Sequence, residues 1–444
     1  MYYESMIIAA PLLFNRRKLG ARKDVTLMAW GFPRRLFLPT YKEPAASADM
    51  ALFQQIQRVY LPLSYAGRTL TCRFSPGEAV TQGDLLTMPD EDDPLPVKST
   101  VDGVFNGLRE LSHPLYGTLT CAVIRPAILP TPRPESDKRL APTPAQVLAA
   151  AKAAGIIDET DGVPLFQKLE SWQQEGCHFL VADAVEAEPY ASSAWALLRS
   201  AGEQINNGLW LASQTVGAAG SHIAVQASRK ALRKLPDVLN GRLFSVPKSY
   251  PVTTLVNAGS DIRTGVIGAQ ACLALHRAVT LRENHNSVVI TVSGDAVEHP
   301  QNIRAPFGTP AGELLRFCGL SCNPAQVIMG DALTGVAIPS AGLPILPGVT
   351  CLLAMKEAPS RSQPCLGCGQ CVSVCHARLM PGEIARQVES MHFDRLLPLH
   401  PEQCDGCGAC SYVCPAGRDI AALVGEATEA GGRILVNWGD TDGS

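Results

Sequence analysis

The sequence of 444 residues lacks an excess of either charge: 38 Lys and Arg stand against 41 Asp and Glu, a net of -3. With no broad basic field to draw polyanions, nucleic acid is excluded as a partner. Long hydrophobic runs are missing too. The longest, such as MIIAAPLLF near the start, fall far below the ~18 residues that a membrane span requires. That run leads into NRRKLGARK with no small-residue cleavage site behind it, so it is expected to belong to the mature protein and not to a secretory signal. No Ser/His/Asp arrangement, H-E-x-x-H metal site or glycine-rich phosphate loop occurs. The hydrophobic share of 46% beside a charged share of 18% excludes disordered and fibrous classes. At this length one core does not suffice, and about three or four domains are expected.

What the chain does have is cysteine, 15 in all. Eight lie in two tight clusters and the rest are scattered, a distribution that points to metal in a reducing cytoplasm and not to disulfides. CLGCGQCVSVC carries Cys365, Cys368, Cys371 and Cys375; CDGCGACSYVC carries Cys404, Cys407, Cys410 and Cys414. Each run is C-x2-C-x2-C-x3-C, in which three thiolates wrap one [4Fe–4S] cube and the fourth cysteine reaches the other. Cluster one therefore takes Cys365, Cys368, Cys371 and Cys414, and cluster two Cys404, Cys407, Cys410 and Cys375. A pair of structural zinc knuckles is the rival, but four ligands per zinc leave the repeated third and fourth cysteines unexplained. Glycines 367, 369, 406 and 408 let the backbone fold tightly and offer N–H groups to sulfur. His376 replaces the proline that follows Cys414 in the second run; it reads as a tolerated turn residue, with a proton-linked tuner as the alternative. Between the runs Pro381 suits a helix start, and Ile384, Val388 and Met391 recur at helical spacing on one expected buried face.

Upstream, residues 1–56 read as an irregular N-terminal segment. Short alternating runs broken by Pro-Gly, Gln-Gly and Asp-Gly make 57–128 a compact β module. Five prolines mark 129–144 as a linker. Strands HFLVADAV, SHIAVQAS and TTLVNAGSDI alternate with helical segments over 145–286, which implies a Rossmann-like α/β layer. Another β-rich piece occupies 287–350, the cysteine module 360–425 and a tail 426–444. The fold class is thus multidomain, α/β and β.

On CLGCGQCVSVC, the helix inserted after it, CDGCGACSYVCPA, TVSGDAVEHPQNIRAPFGTP, VIMGDALTG and AEPY after HFLVAD, the chain resembles the RnfC family, iron–sulfur subunits of ion-translocating NADH:ferredoxin oxidoreductases and their soluble relatives. The resemblance covers about residues 57–425. It implies a barrel-sandwich hybrid at 57–128, a domain like the flavin domain of complex I at 145–286, an SLBB-like β-grasp at 287–350 and a dicluster ferredoxin domain. NGLRELSHPLYGTLTCAVI and the acidic loop described next look most like the soluble subtype associated with proline reductase. A cobalamin reductase or a component of a membrane complex is the alternative.

By the same resemblance FMN and NADH are candidate cofactors, with Lys168, Glu186, Glu188, Tyr190 and Asn257 at positions that match the family's site. The glycine-rich loop of that site is replaced by DETDGVPLFQK, which puts Asp158, Glu159 and Asp161 where a pyrophosphate would lie; like charges repel at that range. Two readings stay open: retained scaffold, in which Glu186 to Tyr190 cap a strand end, or a working cofactor site. The functional expectation is an electron-transfer protein that receives electrons from a donor and passes them through two [4Fe–4S] clusters to a partner oxidoreductase, in the cytoplasm. An NADH-dependent flavin/iron–sulfur reductase is the alternative. No membrane span is expected, and peripheral membrane association is left open. Cys318 and Cys322 in FCGLSC are candidate redox thiols or small core residues. Cys72, Cys121, Cys177, Cys272 and Cys351, in apolar surroundings, read as core, and His113 as a structural turn residue.

Overall fold

The computed structural model describes residues 36–65, 68–87, 97–114, 116–127, 142–239, 241–252, 263–358 and 362–439. Asn257 and the expected strand TTLVNAGSDI lie outside the described residues, as does most of the linker 129–144. The chain divides into two compact units, one built from 39–248 with 252–357 and the other containing the cysteine module from 358 onward.

The first unit begins with a short helix Glu43–Ser47 and the two-residue strand β1 (Ala51–Leu52). A β module follows. In it β2 (Val59–Pro62), β3 (Ala79–Val80), β4 (Gly103–His113) and β5 (Gly117–Pro126) form an antiparallel sheet in the order β2-β5-β4-β3. Val59, Leu61, Leu63, Phe105 and Ile124 fill its core. His113 ends β4 buried, stacked on Tyr116 at 4.5 Å, and burial pushes its pKa down to about 4.

The α/β layer starts with α1 (Pro144–Ala154), and its ends follow from local chemistry. Thr143 and Gln146 bond reciprocally across the first turn, Pro144 sits where an N–H has no helical partner, and Gly155 closes the helix at φ 68°. Then come α2 (Leu165–Glu175), β6 (Phe179–Ala184), α3 (Ser193–Val216), β7 (Gly220–Val225), β8 (Leu243–Ser245), β9 (Thr264–Gly268) and α4 (Ala269–Leu281). The four strands are parallel in the order β8-β7-β6-β9. Leu180, Ile223 and Ile267 are completely buried between the sheet and its helices, each worth about 1.5–3 kcal/mol relative to exposure. Helices α3 and α4 approach closely because Gly208 has no side chain: a Cβ there would lie 1.8 Å from the Cys272 carbonyl oxygen.

The β-rich piece comprises β10 (Ser287–Ser293), β11 (Gln301–Pro306), α5 (Ala311–Cys318), β12 (Gln326–Met329), β13 (Val336–Ala337) and β14 (Cys351–Met355). With β1 they make a six-stranded mixed sheet in the order β1-β11-β10-β14-β12-β13. The sheet runs past the expected end at 350, because β14 is its central strand, and it recruits an edge strand from the segment expected to be irregular.

The second unit is helical: α6 (Gln370–Val374), α7 (Pro381–Glu389), α8 (Ala409–Tyr412) and α9 (Ile420–Gly439). Ile384, Val388, Leu396, Ile420 and Val424 form its core, with Cys371, Cys375, Cys404, Cys410 and Cys414 packed into it. Two expectations need correction. Met391 does not share the buried face of α7: the helix ends at Glu389, and Met391 turns out at φ 57° with 72% of its surface exposed. Residues 426–439 are no tail but the continuation of α9. Among the described residues no helix is long and apolar enough to cross a membrane.

Candidate metal centre and sheet-edge crevice

The two cysteine runs fold alike. In each, both glycines of C-x-G-C-G take left-handed conformations, Gly367 and Gly369 at φ 66° and 72°, Gly406 and Gly408 both at 73°. This is the region that side chains resist. The turn aims the amide of Gly367 at Cys365 Sγ (3.5 Å) and that of Gly406 at Cys404 Sγ (3.4 Å), leaving α6 and α8 to start at the next residue.

Cys375 does not stay with its own run. It lines one small cavity with Cys404, Cys407 and Cys410, closed by Leu379, Ala421 and Val424. Burial pushes the Cys404 thiol up to about 11 and the Cys410 thiol to about 12, with neighbouring cysteines adding to both. Cys407 is raised by burial and by the Asp405 carboxylate. Four crowded thiols in an apolar hole become thiolates only if cations share the hole, so this donor set fits an iron–sulfur cluster. In the other set Cys365 and Cys368 are exposed and Cys371 and Cys414 half-buried. Gly382 leaves room beside Cys371, whose Sγ would stand 3.1 Å from a Cβ at that position. His376 points its Nε2 at Asp405 Oδ2, 2.7 Å away, so the residue in the proline position joins the first run to the second.

The parallel sheet of the first unit has a second candidate site. From β6 the chain moves outward through β7 and β8, then returns to place β9 on the other side of β6. The strand order therefore reverses between β6 and β9, and the crevice beyond their carboxyl ends is where open α/β sheets receive ligands. Glycine at 268, ahead of α4, exposes the helix's first N–H groups, the usual seat of a phosphate.

Here that seat is taken. Glu159 Oε1 accepts from the amide of Gln270 (2.6 Å) and Oε2 from that of Ala271 (3.0 Å). A Cβ on Gly268 would lie 2.0 Å from the Glu159 carboxyl carbon, so the glycine serves the carboxylate. Burial, then the adjacent Asp158, push the Glu159 pKa upward against the pull of the helix amides. Lys168 is equally engaged: Nζ is 2.5 Å from Asp158 Oδ2 and 2.9 Å from Asp161 Oδ2. Burial alone would lower its pKa, but the two carboxylates carry it above the ordinary value. The acidic loop is thus an internally neutralised plug, and the residues present do not fit a nucleotide phosphate.

The turn after β6 is similarly committed. Glu186 accepts from Ala194 N (2.8 Å), Trp195 N (3.3 Å) and Ser193 Oγ (3.1 Å), capping α3. Glu188 accepts from Leu333 N (2.6 Å) and Thr334 Oγ1 (2.7 Å), tying the turn to the β-rich piece. Tyr190, at φ 69°, stacks on Tyr41 with centroids 5.2 Å apart, and its amide donates to the Thr40 carbonyl (2.8 Å). Lys42 donates to the Glu186 carbonyl and lies among Glu186, Asp331 and Glu188. Sequence reasoning missed Tyr41, Lys42 and Asp331. The first two sit in a segment with no periodicity, whereas Asp331 lies in the quoted VIMGDALTG and could have been singled out.

Cys318 is fully buried with its thiol raised to about 12 by burial, while Cys322 is exposed. A thiol of that kind offers no thiolate for exchange, which favours the core reading. Cys121, Cys177, Cys272 and Cys351 are buried and Cys72 is half-buried.

Residues 364–418 match the 4Fe-4S dicluster domain family. Over 383 residues the chain is 28% identical to the RnfC-type component of the ion-translocating oxidoreductase complex of Pseudomonas aeruginosa, covering 80% of this chain and 49% of that protein. Over 385 residues it is 26% identical to the corresponding component of the Na(+)-translocating ferredoxin:NAD(+) oxidoreductase complex of Acetobacterium woodii, covering 80% and 87%. The chain thus spans about half the length of the first of these relatives. Among solved structures, the NAD+-reducing [NiFe]-hydrogenase in its H2-reduced state aligns over 65% of this chain and 60% of that one, with a TM-score of 0.45 and 14% identity. Over most of its length the chain is RnfC-like, and it carries a 4Fe–4S dicluster domain near its C-terminal end.

Proposed function

We propose that this chain is the electron-transfer component of an oxidoreductase system, holding one [4Fe–4S] cluster on Cys365, Cys368, Cys371 and Cys414 and another on Cys404, Cys407, Cys410 and Cys375. Each cluster supplies a one-electron carrier when bound. The observation that carries the reading is the placement of Cys375 in one cavity with the three cysteines of the other run, which links the two sites through two short peptide segments. The chain's own residues orient the sulfurs, donate amides to them and exclude water from the second set.

The reading further holds that electrons enter from a separate donor and leave to a partner reductase, with a proline reductase-type enzyme as first candidate acceptor. The occupied crevice supports it: Glu159 fills the phosphate seat, and Tyr41 covers Tyr190, so neither FMN nor NADH has its usual place. The β module at 57–128 and the sheet of 287–355 are assigned as barrel-sandwich hybrid and SLBB-like domains, which serve as docking scaffold. The rival is an NADH-dependent flavin reductase, favoured only by the identities of Glu186, Glu188 and Tyr190. Adding NADH anaerobically to the cluster-loaded protein separates the two. Visible cluster absorbance should persist with NADH and bleach with dithionite; bleaching by NADH, with flavin released on denaturation, would establish the rival.

A further inference from the structure

Two charged side chains in the cysteine module stand unequally toward the two cluster sites. Arg418 follows the second run, yet its guanidinium reaches the Cys365 thiol of the first and the Glu389 carboxylate. Its side chain is 4% exposed, and a backbone bond from Gln363 N to the Ala416 carbonyl (2.8 Å) lays the approach to Cys365 beside this segment. A guanidinium keeps its charge in such a place. Its partner Glu389 is 48% exposed, so water screens the carboxylate more than it screens the cation.

The other site carries the opposite sign. Asp405, between Cys404 and Cys407, accepts from the Cys407 amide (3.2 Å) and acts on the sulfurs of Cys407, Cys404 and Cys375. Reduction adds one negative charge to a cluster, which a nearby cation stabilises and a nearby anion opposes. Exposure acts in the same direction. Cys365 and Cys368 face solvent, which favours the more charged reduced form, whereas Cys410 is buried.

We propose that Arg418 raises the reduction potential of the Cys365-side cluster and Asp405 lowers that of the Cys404-side cluster, giving the pair a fixed polarity with its oxidising end at the exposed edge. The proposal rests on the two-cluster reading above and adds to it the order of the two potentials. On this account reducing equivalents collect on the side of Cys365, where an electron-accepting protein can approach.

An EPR-monitored potentiometric titration of the anaerobically prepared full-length protein tests it, using wild type, Arg418→Gln, Arg418→Lys and Asp405→Asn, each checked for iron content. Wild type should give two separable one-electron waves. Arg418→Gln should lower the upper wave by at least a tenfold change in equilibrium constant, 59 mV for one electron, and leave the lower one in place. Arg418→Lys should hold the upper wave nearer wild type, and Asp405→Asn should raise the lower wave. Loss of cluster in Arg418→Gln leaves the lysine and asparagine variants to decide. Coincident waves in wild type, Arg418 variants that move the lower wave, or fully loaded variants that move neither would overturn the polarity. Fewer than two [4Fe–4S] signals in wild type would instead defeat the two-cluster reading.

Discussion

The Glu159 carboxylate binds the amide of Gln270 at 2.6 Å, across 111 positions of sequence. This one bond converts a helix N-terminus at the switch point of a parallel sheet from an anion receptor into a closed cap. Truncation to alanine removes acceptors for two amides and leaves a hole, so Glu159→Ala should lose about 2 kcal/mol of stability. Glu159→Gln, which keeps one acceptor oxygen, should lose less. Chemical denaturation with an unchanged m-value checks both, and equal losses would contradict the capping role.

Lys168 pairs with Asp158, which is fully buried, and it also holds Asp161. Lys168→Met strands a buried carboxylate and should destabilise by about 3–5 kcal/mol. Adding Asp158→Asn should recover a large part of that. A double-mutant cycle by thermal or urea unfolding would register the coupling, and additive losses would contradict it.

The region around Asp331 predicts a pH response. Burial, then Glu188 and Glu186, push its pKa up to about 8, and Oδ1 has no hydrogen-bond partner among the described residues. A carboxyl raised on folding contributes stability that is present below its unfolded value and is lost as pH rises through about 8. Relative to wild type, Asp331→Asn should therefore gain stability at pH 8, on the order of 1–3 kcal/mol, and show little gain at pH 4. Melting curves at the two pH values decide, and an equal effect at both would remove Asp331 as the cause.

Much of this was legible in the sequence where cause and effect are close together in the chain. Thr143 and Gln146 mark a helix start, four glycines at fixed offsets mark two sulfur-binding turns, and the cysteine spacing marks the cluster chemistry. Glu186 as a cap for the next helix was also readable, since its partners lie within nine residues. The contacts that close the crevice were not: Glu159 finds Gln270, Glu188 finds Leu333 and Tyr190 finds Tyr41, each more than a hundred positions away. Local pattern carries no record of such pairings. Met391 failed for a different reason, because helical spacing says nothing of where a helix stops, and α7 ends two residues before it.

The crossing of ligands between runs gives a sharp mutational expectation. Cys375→Ser should remove the cluster built on Cys404, Cys407 and Cys410, and Cys414→Ser the one built on Cys365, Cys368 and Cys371. Each variant should retain about four of about eight irons. EPR of the two variants should show different surviving signals, and survival of the signal expected to vanish would mean that each run ligates its own cluster.

The central claim is that the chain carries two [4Fe–4S] clusters and no flavin of its own. Its most direct test is a joint determination of iron, acid-labile sulfide and acid-released flavin on one anaerobically purified sample of the full chain. The account predicts about eight iron and about eight sulfide per chain, with flavin far below stoichiometry. About four iron, zinc in place of iron, or one flavin per chain would contradict it.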